Sequence, residues 1–230
     1  MKKIILYHGS TKIIEKPVFG EGNPKNDYGL GFYCTENMEL AKEWASTERN
    51  DGFANRYELD AEGLSILHLN HSPYHILNWL SILLKNRTFI VSQGLPFEAM
   101  QYLLANFLPE YEYYDLIVGY RADDSYFSFA NAFLNNTISL DQLRNAMMLG
   151  KLGEQIVLKS KKAFSSLIFK ESIPVDSSLY YPKRMARDRK ARDDFQQMKS
   201  ATSTADAVYM IDILRQQWTN DDPRLQQLVP

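Results

Sequence analysis

Four short segments of the 230-residue chain carry side chains that could do chemistry together. Tyr7-His8-Gly9-Ser10 ends a predicted strand with an imidazole, followed by a glycine whose backbone a ligand can approach closely. Asp27-Tyr28-Gly29-Leu30-Gly31-Phe32-Tyr33-Cys34-Thr35 is a glycine-hinged turn that presents an aromatic ring, Tyr33. Trp44 stands eleven residues after Tyr33, on the next predicted helix. Gly153-Glu154-Gln155-Ile156-Val157-Leu158 opens a late strand with a carboxylate. Side chains alternate on a strand, so Glu154 shares a face with Ile156 and Leu158, and Gln155 shares one with Val157 and Lys159. The more apolar face should turn to the interior or to a cleft, which favours Glu154 as the pocket residue. A register shifted by one would put Gln155 there instead. An aromatic content of 13% suffices to line a pocket for a flat ring. Singly, each piece has a plain structural explanation: a satisfied histidine, core aromatics, a solvated strand terminus.

Other machinery is missing. No G-x-x-x-x-G-K-[ST] phosphate loop occurs, and Gly29-Leu30-Gly31-Phe32-Tyr33-Cys34 lacks the third glycine of a dinucleotide fingerprint. Cys34 is the single cysteine, so no intrachain disulfide can form, and a reducing compartment follows as the default. With no histidine near it in sequence, it reads as a small buried residue. His68, His71 and His75 have suggestive spacing, but Pro73 breaks any shared helix face and no cysteine or obvious carboxylate completes the set. They read as structural or surface histidines, and no metal is expected. A net charge of −2 does not call for a polyanionic partner. The opening Met1-Lys2-Lys3-Ile4-Ile5-Leu6 is too short for a signal peptide, and Leu77–Leu84 is too short and too polar for a membrane helix. The expectation is a soluble, cytoplasmic protein.

The elements that must position these residues can be outlined. Residues 2–8 alternate as a strand buried on both sides. Residues 17–31, with Pro17, Gly20, Gly22, Pro24, Gly29 and Gly31, form a long loop. Thr35-Glu36-Asn37 opens a helix to about Thr47. Residues 53–59 and 64–69 are strands with a turn at Asp60-Ala61-Glu62-Gly63. Helices cover 74–86 and 97–107, a buried strand covers 115–119, and Ser139-Leu140-Asp141-Gln142 is a capping box that starts a helix to about Leu149. Asp123-Asp124 is read as capping a helix over Tyr126 and Phe129. Strands at 155–160 and 165–169 follow. After Ile173-Pro174 the character changes. Lys183–Lys199 carries seven cations and three anions, then Ala207, Met210, Ile211, Leu214 and Trp218 form an apolar helical stripe. This gives a mixed α+β domain over 1–172 and a helical extension over 173–230. The cationic stretch reads as a solvated face with mixed ion pairs, with contact to nucleic acid phosphates, or an interaction arm for a partner or inhibitor protein, as the alternatives.

His8-Gly9-Ser10, Gly31-Phe32-Tyr33, Trp44 and Glu154-Gln155-Ile156-Val157 resemble, in order and character, the His–Tyr–Glu branch of the ADP-ribosyltransferase fold, which includes the poly(ADP-ribose) polymerases and diphtheria toxin. A closer resemblance is to an uncharacterised bacterial family of transferase-like proteins, of the DUF3990 type, which often sit beside antitoxin-like partners. Tyr28–Tyr33, Ala122-Asp123-Asp124 and Glu154-Gln155-Ile156 carry it. The resemblance covers about residues 4–170.

What the resemblance implies is a split two-sheet core with surrounding helices, and NAD+ as co-substrate. It implies ADP-ribosyl transfer, one unit at a time, to a macromolecular acceptor, by a toxin of a toxin–antitoxin or phage-defence system with an antitoxin-like protein partner. Glu154 would stabilise the oxocarbenium-like ribose, with Gln155 as the alternative. Tyr33 and Trp44 would hold the cationic nicotinamide ring between aromatic faces. Gly9 would bond the carboxamide and His8 the adenosine-side ribose, with Ser10 and Tyr28 also at the cofactor. The family's serine three residues before the second aromatic is Ala41 here. That departure keeps open a second class, a non-catalytic module that holds NAD+, ADP-ribose or a partner.

Overall fold

The computed structural model describes residues 3–122, 124–151, 153–200 and 206–225. It is a mixed α+β structure with two sheets and eight α-helices among those residues. One sheet holds β1 (Lys3–Ser10), β3 (Gly52–Asp60) and β7 (Leu167–Val175) in the order β1-β3-β7, all antiparallel. The other has the order β2-β6-β5-β4, from β2 (Phe32–Cys34), β6 (Glu154–Leu158), β5 (Leu116–Tyr120) and β4 (Ile66–His68). Its β4–β5 pair is parallel and the rest antiparallel. The expected turn at 60–63 therefore does not close a hairpin; it carries the chain from the first sheet to the second. A two-bond bridge, Tyr7 N–H to Thr35 O at 2.8 Å and Thr35 N–H to Tyr7 O at 2.9 Å, joins the sheets at β1.

The sheets pack face to face over Leu6, Tyr57, Leu59, Phe32, Cys34, Leu116, Val118, Ile156 and Leu158. The other face of the second sheet carries Ile117 and Val157 into a larger core. That core is built with α2 (Ile76–Asn86), α3 (Leu95–Asn106), α4 (Asp124–Leu134) and α5 (Leu140–Ala146). The second sheet is thus buried on both faces. β1, at a sheet edge, buries only Leu6 fully, less than the two-sided burial its pattern suggested. Cys34 is fully buried, which pushes its thiol pKa up and leaves it inert.

Local chemistry sets the helix starts. The Asn37 side chain accepts the Leu40 N–H at 3.1 Å and caps α1 (Met38–Ala45). Ser139 and Gln142 form the expected capping box at 2.8 and 3.2 Å. Asp123 lies outside the described residues. A short helix, α6 (Lys161–Ser165), links β6 to β7. β7 runs through Pro174 to Val175, which an edge strand tolerates because the missing N–H faces no neighbour.

The extension is α7 (Ser177–Ser200) and α8 (Met210–Arg215). Phe195, Met210, Ile213, Trp218 and Leu225 join the same core as α2–α5. The buried set differs from the expected stripe because α8 is short and Gln217, at φ 51, ends it before Trp218. On α7, Arg187 pairs with Glu43, Lys190 with Asp194 and Arg192 with Asp188, so part of the cationic stretch is neutralised within the molecule.

His75, 8% exposed, precedes α2 with Nε2 3.3 Å from the Asn220 carbonyl oxygen. Burial lowers its pKa to about 4, with the Asn220 contact acting the other way. The unfolded chain, with an ordinary pKa of ~6.5, takes the proton first as pH falls. This contribution to stability is present above about pH 6.5 and is lost on the way down to about pH 4, at roughly 3 kcal/mol in all. Replacing His75 with Gln is expected to flatten that decline, measured as denaturation midpoints across this range.

Candidate functional site

His8, Gly9, Tyr33, Trp44 and Gln155 come together around one cavity of about 210 Å³, with Asn26, Asp27, Arg87, Arg121 and Ala122 completing its wall. Residues far apart in sequence meet because the end of β1, strand β2 and the start of β6 converge on one place, and α1 packs against β1. Gly9 makes this possible by close approach. A Cβ there would sit 2.1 Å from the Ala41 carbonyl oxygen and 2.7 Å from the Ala45 nitrogen, so only glycine lets β1 pass under the helix that carries Trp44.

The cavity is held by a small set of directed bonds. His8 Nδ1 lies 2.7 Å from the Tyr33 carbonyl oxygen, and its ring stacks on Phe32 at 4.3 Å. Since a carbonyl only accepts, Nδ1 carries the proton and Nε2 is the second polar atom of the ring. Burial lowers the His8 pKa, so the imidazole is neutral near pH 7. The Tyr33 hydroxyl donates to the Gly29 carbonyl at 2.5 Å and accepts the Tyr28 N–H at 3.1 Å. Burial raises its pKa and keeps it a phenol.

Asp27 is 4% exposed and fully answered. Its Oδ1 accepts from Arg87 Nε at 2.8 Å and Nη2 at 2.7 Å. Its Oδ2 accepts from the Ala122 N–H at 3.0 Å and Gln155 Nε2 at 2.8 Å. A carboxylate with four donors is an organiser, not a free base. Gln155 Nε2 also donates to the Tyr120 carbonyl at 3.2 Å. Both partners of Nε2 only accept, so the amide orientation is set and Oε1 is the atom left for a ligand. The Arg121 guanidinium lies 3.5 Å from the centre of the Trp44 ring, a cation already on an aromatic face.

Three expected site residues are not brought to this cavity. Glu154 lies on the opposite face of β6, exposed, and accepts from Asn70 Nδ2 at 2.6 Å. It lines a different cleft of about 670 Å³ between the sheets, together with His68 and His71. The apolar-face argument fails because both faces of β6 are buried, Ile156 and Leu158 against the first sheet and Val157 against the helices. Tyr28 is fully buried, with its hydroxyl donating to the Tyr120 carbonyl at 2.6 Å. Ser10 accepts from the Lys12 N–H at 3.2 Å at the end of β1 and does not line the cavity. His68 and His71 stack at 5.3 Å, and His75 lies apart under Asn220.

Asp27, Arg87 and Arg121 were not among the expected site residues. Asp27 opens the glycine turn, and Arg121 directly precedes Ala122-Asp123-Asp124, so both adjoin motifs visible in the sequence. Arg87, just after the end of α2, carries no such signal.

A model of the family DUF3990, described as proteins of unknown function, matches residues 4–169. The chain belongs to this family. The match contains β2, β6, all of β1 but Lys3, and every residue lining the cavity of the DUF3990 protein. No curated protein and no solved structure matches it. No helix among its described residues is long and apolar enough to cross a membrane.

Proposed function

We propose that the DUF3990 cavity takes the nicotinamide end of NAD+ and that the protein transfers ADP-ribose to a macromolecule. The observation that carries this reading is the meeting of His8, Gly9, Tyr33, Trp44 and the β6 residue Gln155 around one hollow. A volume of about 210 Å³ suits a single ring, so the rest of the dinucleotide lies outside the hollow, toward the neutral His8. In the reaction, the bond between the ribose anomeric carbon and the nicotinamide nitrogen breaks, and nicotinamide leaves with the bonding electrons. An acceptor nucleophile then bonds that carbon and loses its proton. Gln155 Oε1 is placed to accept from the ribose 2′-hydroxyl, and its dipole faces the positive charge that develops on the sugar. On this reading the ADP-ribosyltransferase resemblance holds, with Gln155 in the third position and Glu154 outside it. A bacterial toxin held by an antitoxin-like partner remains the biological setting we propose.

Incubation with NAD+ labelled in both halves tests the proposal. Release of nicotinamide with transfer of label to a macromolecule supports it, and retention of intact NAD+ overturns the catalytic part. The neutral amide at Gln155 favours one second reading, a module that binds NAD+ or ADP-ribose without turnover. It is distinguished by saturable binding without nicotinamide release.

Trp44→Ala is expected to weaken NAD+ binding about two- to thirtyfold, the loss of a ring contact worth ~0.5–2 kcal/mol. An unchanged dissociation constant by calorimetry would remove Trp44 from the ligand.

A further inference from the structure

The second cleft, on the far side of β6, has a backbone feature that the NAD+ reading does not use. β1 is an edge strand, and the N–H and C=O of Tyr7 turn away from β3 to meet Thr35. Alternation in an antiparallel ladder then turns the same groups of Ile5 and Lys3 outward as well. No described strand continues the bridge to them, so they form an open edge beside a cleft of about 670 Å³. An open edge is a template for another strand.

The cleft floor is apolar, made by Ile66, Leu116, Val118 and Ile156 of the second sheet. One end is acidic. Cys34 stands opposite Ile156, and Glu36 and Glu154 each lie two residues beyond that pair, toward the same end of the two strands. Both carboxylates line the cleft, and neither is in an ion pair among the described residues. The cations of the lining are already matched, Lys3 by Glu58 at 2.8 Å and Arg56 by Glu171 at 2.8 Å. The lining therefore presents uncompensated negative charge at one end of an apolar trough with a strand edge along its side.

We infer that this cleft receives an extended segment of a partner protein by strand addition to β1, with a lysine or arginine between Glu36 and Glu154 and apolar side chains on the floor. Main-chain bonds to Ile5 and Lys3 supply affinity, and the alternating side chains supply selection. At ~3.4 Å per residue, the open edge up to Tyr7 accommodates roughly four residues of such a segment. The site does not touch the cavity of His8 and Gln155, so the inference stands or falls without the NAD+ reading.

The test uses the full chain and a capped heptapeptide that alternates valine and arginine, beside one with glutamate in place of arginine. Binding of the arginine peptide, with slowed hydrogen exchange at the Ile5 amide, is the expected result. The Glu36→Gln/Glu154→Gln variant should then bind about tenfold or more weakly, and the glutamate peptide should not bind. No binding below about 1 mM overturns the inference. So does equal binding by the double variant, or binding without protection at Ile5. A concentration-dependent dimer whose Ile5 amides are protected without peptide also overturns it, because a second copy would then be the occupant.

Discussion

Replacing Gln155 with Ala is expected to lower the rate of nicotinamide release from NAD+ by about a hundred- to thousandfold, the usual effect of removing one preorganised group at a site of developing charge, ~2.7–4 kcal/mol. The expectation rests on the amide being aimed in advance. Asp27 Oδ2 and the Tyr120 carbonyl hold Nε2 at 2.8 and 3.2 Å, so no reorientation is needed when the ribose arrives. Glu154→Ala is the control. Its side chain reaches Asn70 in the inter-sheet cleft, away from His8 and Tyr33, and the variant should keep most of the release activity. Single-turnover rates for both variants decide the matter. Loss of activity in Glu154→Ala with survival in Gln155→Ala would return the carboxylate to the role that the His–Tyr–Glu pattern implies.

The second large effect is on stability. Glu43 is 5% exposed and receives two bonds from Arg187, Nε to Oε2 at 2.8 Å and Nη2 to Oε1 at 2.6 Å. Arg187 also donates to the Gly150 carbonyl at 2.8 Å. Arg187→Ala leaves a buried carboxylate without its cation, and a loss of about 3 kcal/mol is expected. For a chain of this size that lowers the Tm by roughly 6–12 °C. Replacing both residues with Met should recover most of the loss, because the desolvation cost disappears along with the attraction. Calorimetric melting of the single and double variants separates these cases. Glu43 adjoins Trp44 on α1, so the single variant should also loosen the wall of the cavity.

Local features were the readable ones. Ser139 and Gln142 announce a helix start because both halves of the box lie within four residues and answer each other's backbone. His8, Gly9, Tyr33 and Trp44 were legible as a set because their order along the chain follows a known pattern. What could not be read was which face of β6 meets them. Period-two alternation separates two faces but does not name their neighbours, and here both neighbours are apolar. The same limit hid Arg87. Its partner Asp27 is sixty positions away, and only the tertiary fold brings the end of α2 to the glycine turn.

The Tyr33 hydroxyl has a consequence for how the site can move. The side chain that faces the hollow is also the rivet of the segment that leads into it, since one oxygen grips both Tyr28 and Gly29. A guest that tilted this phenol would unfasten the hinge at the same stroke. Adaptation to an incoming molecule therefore falls to the other wall, where the Arg121 guanidinium rests on the face of the Trp44 indole.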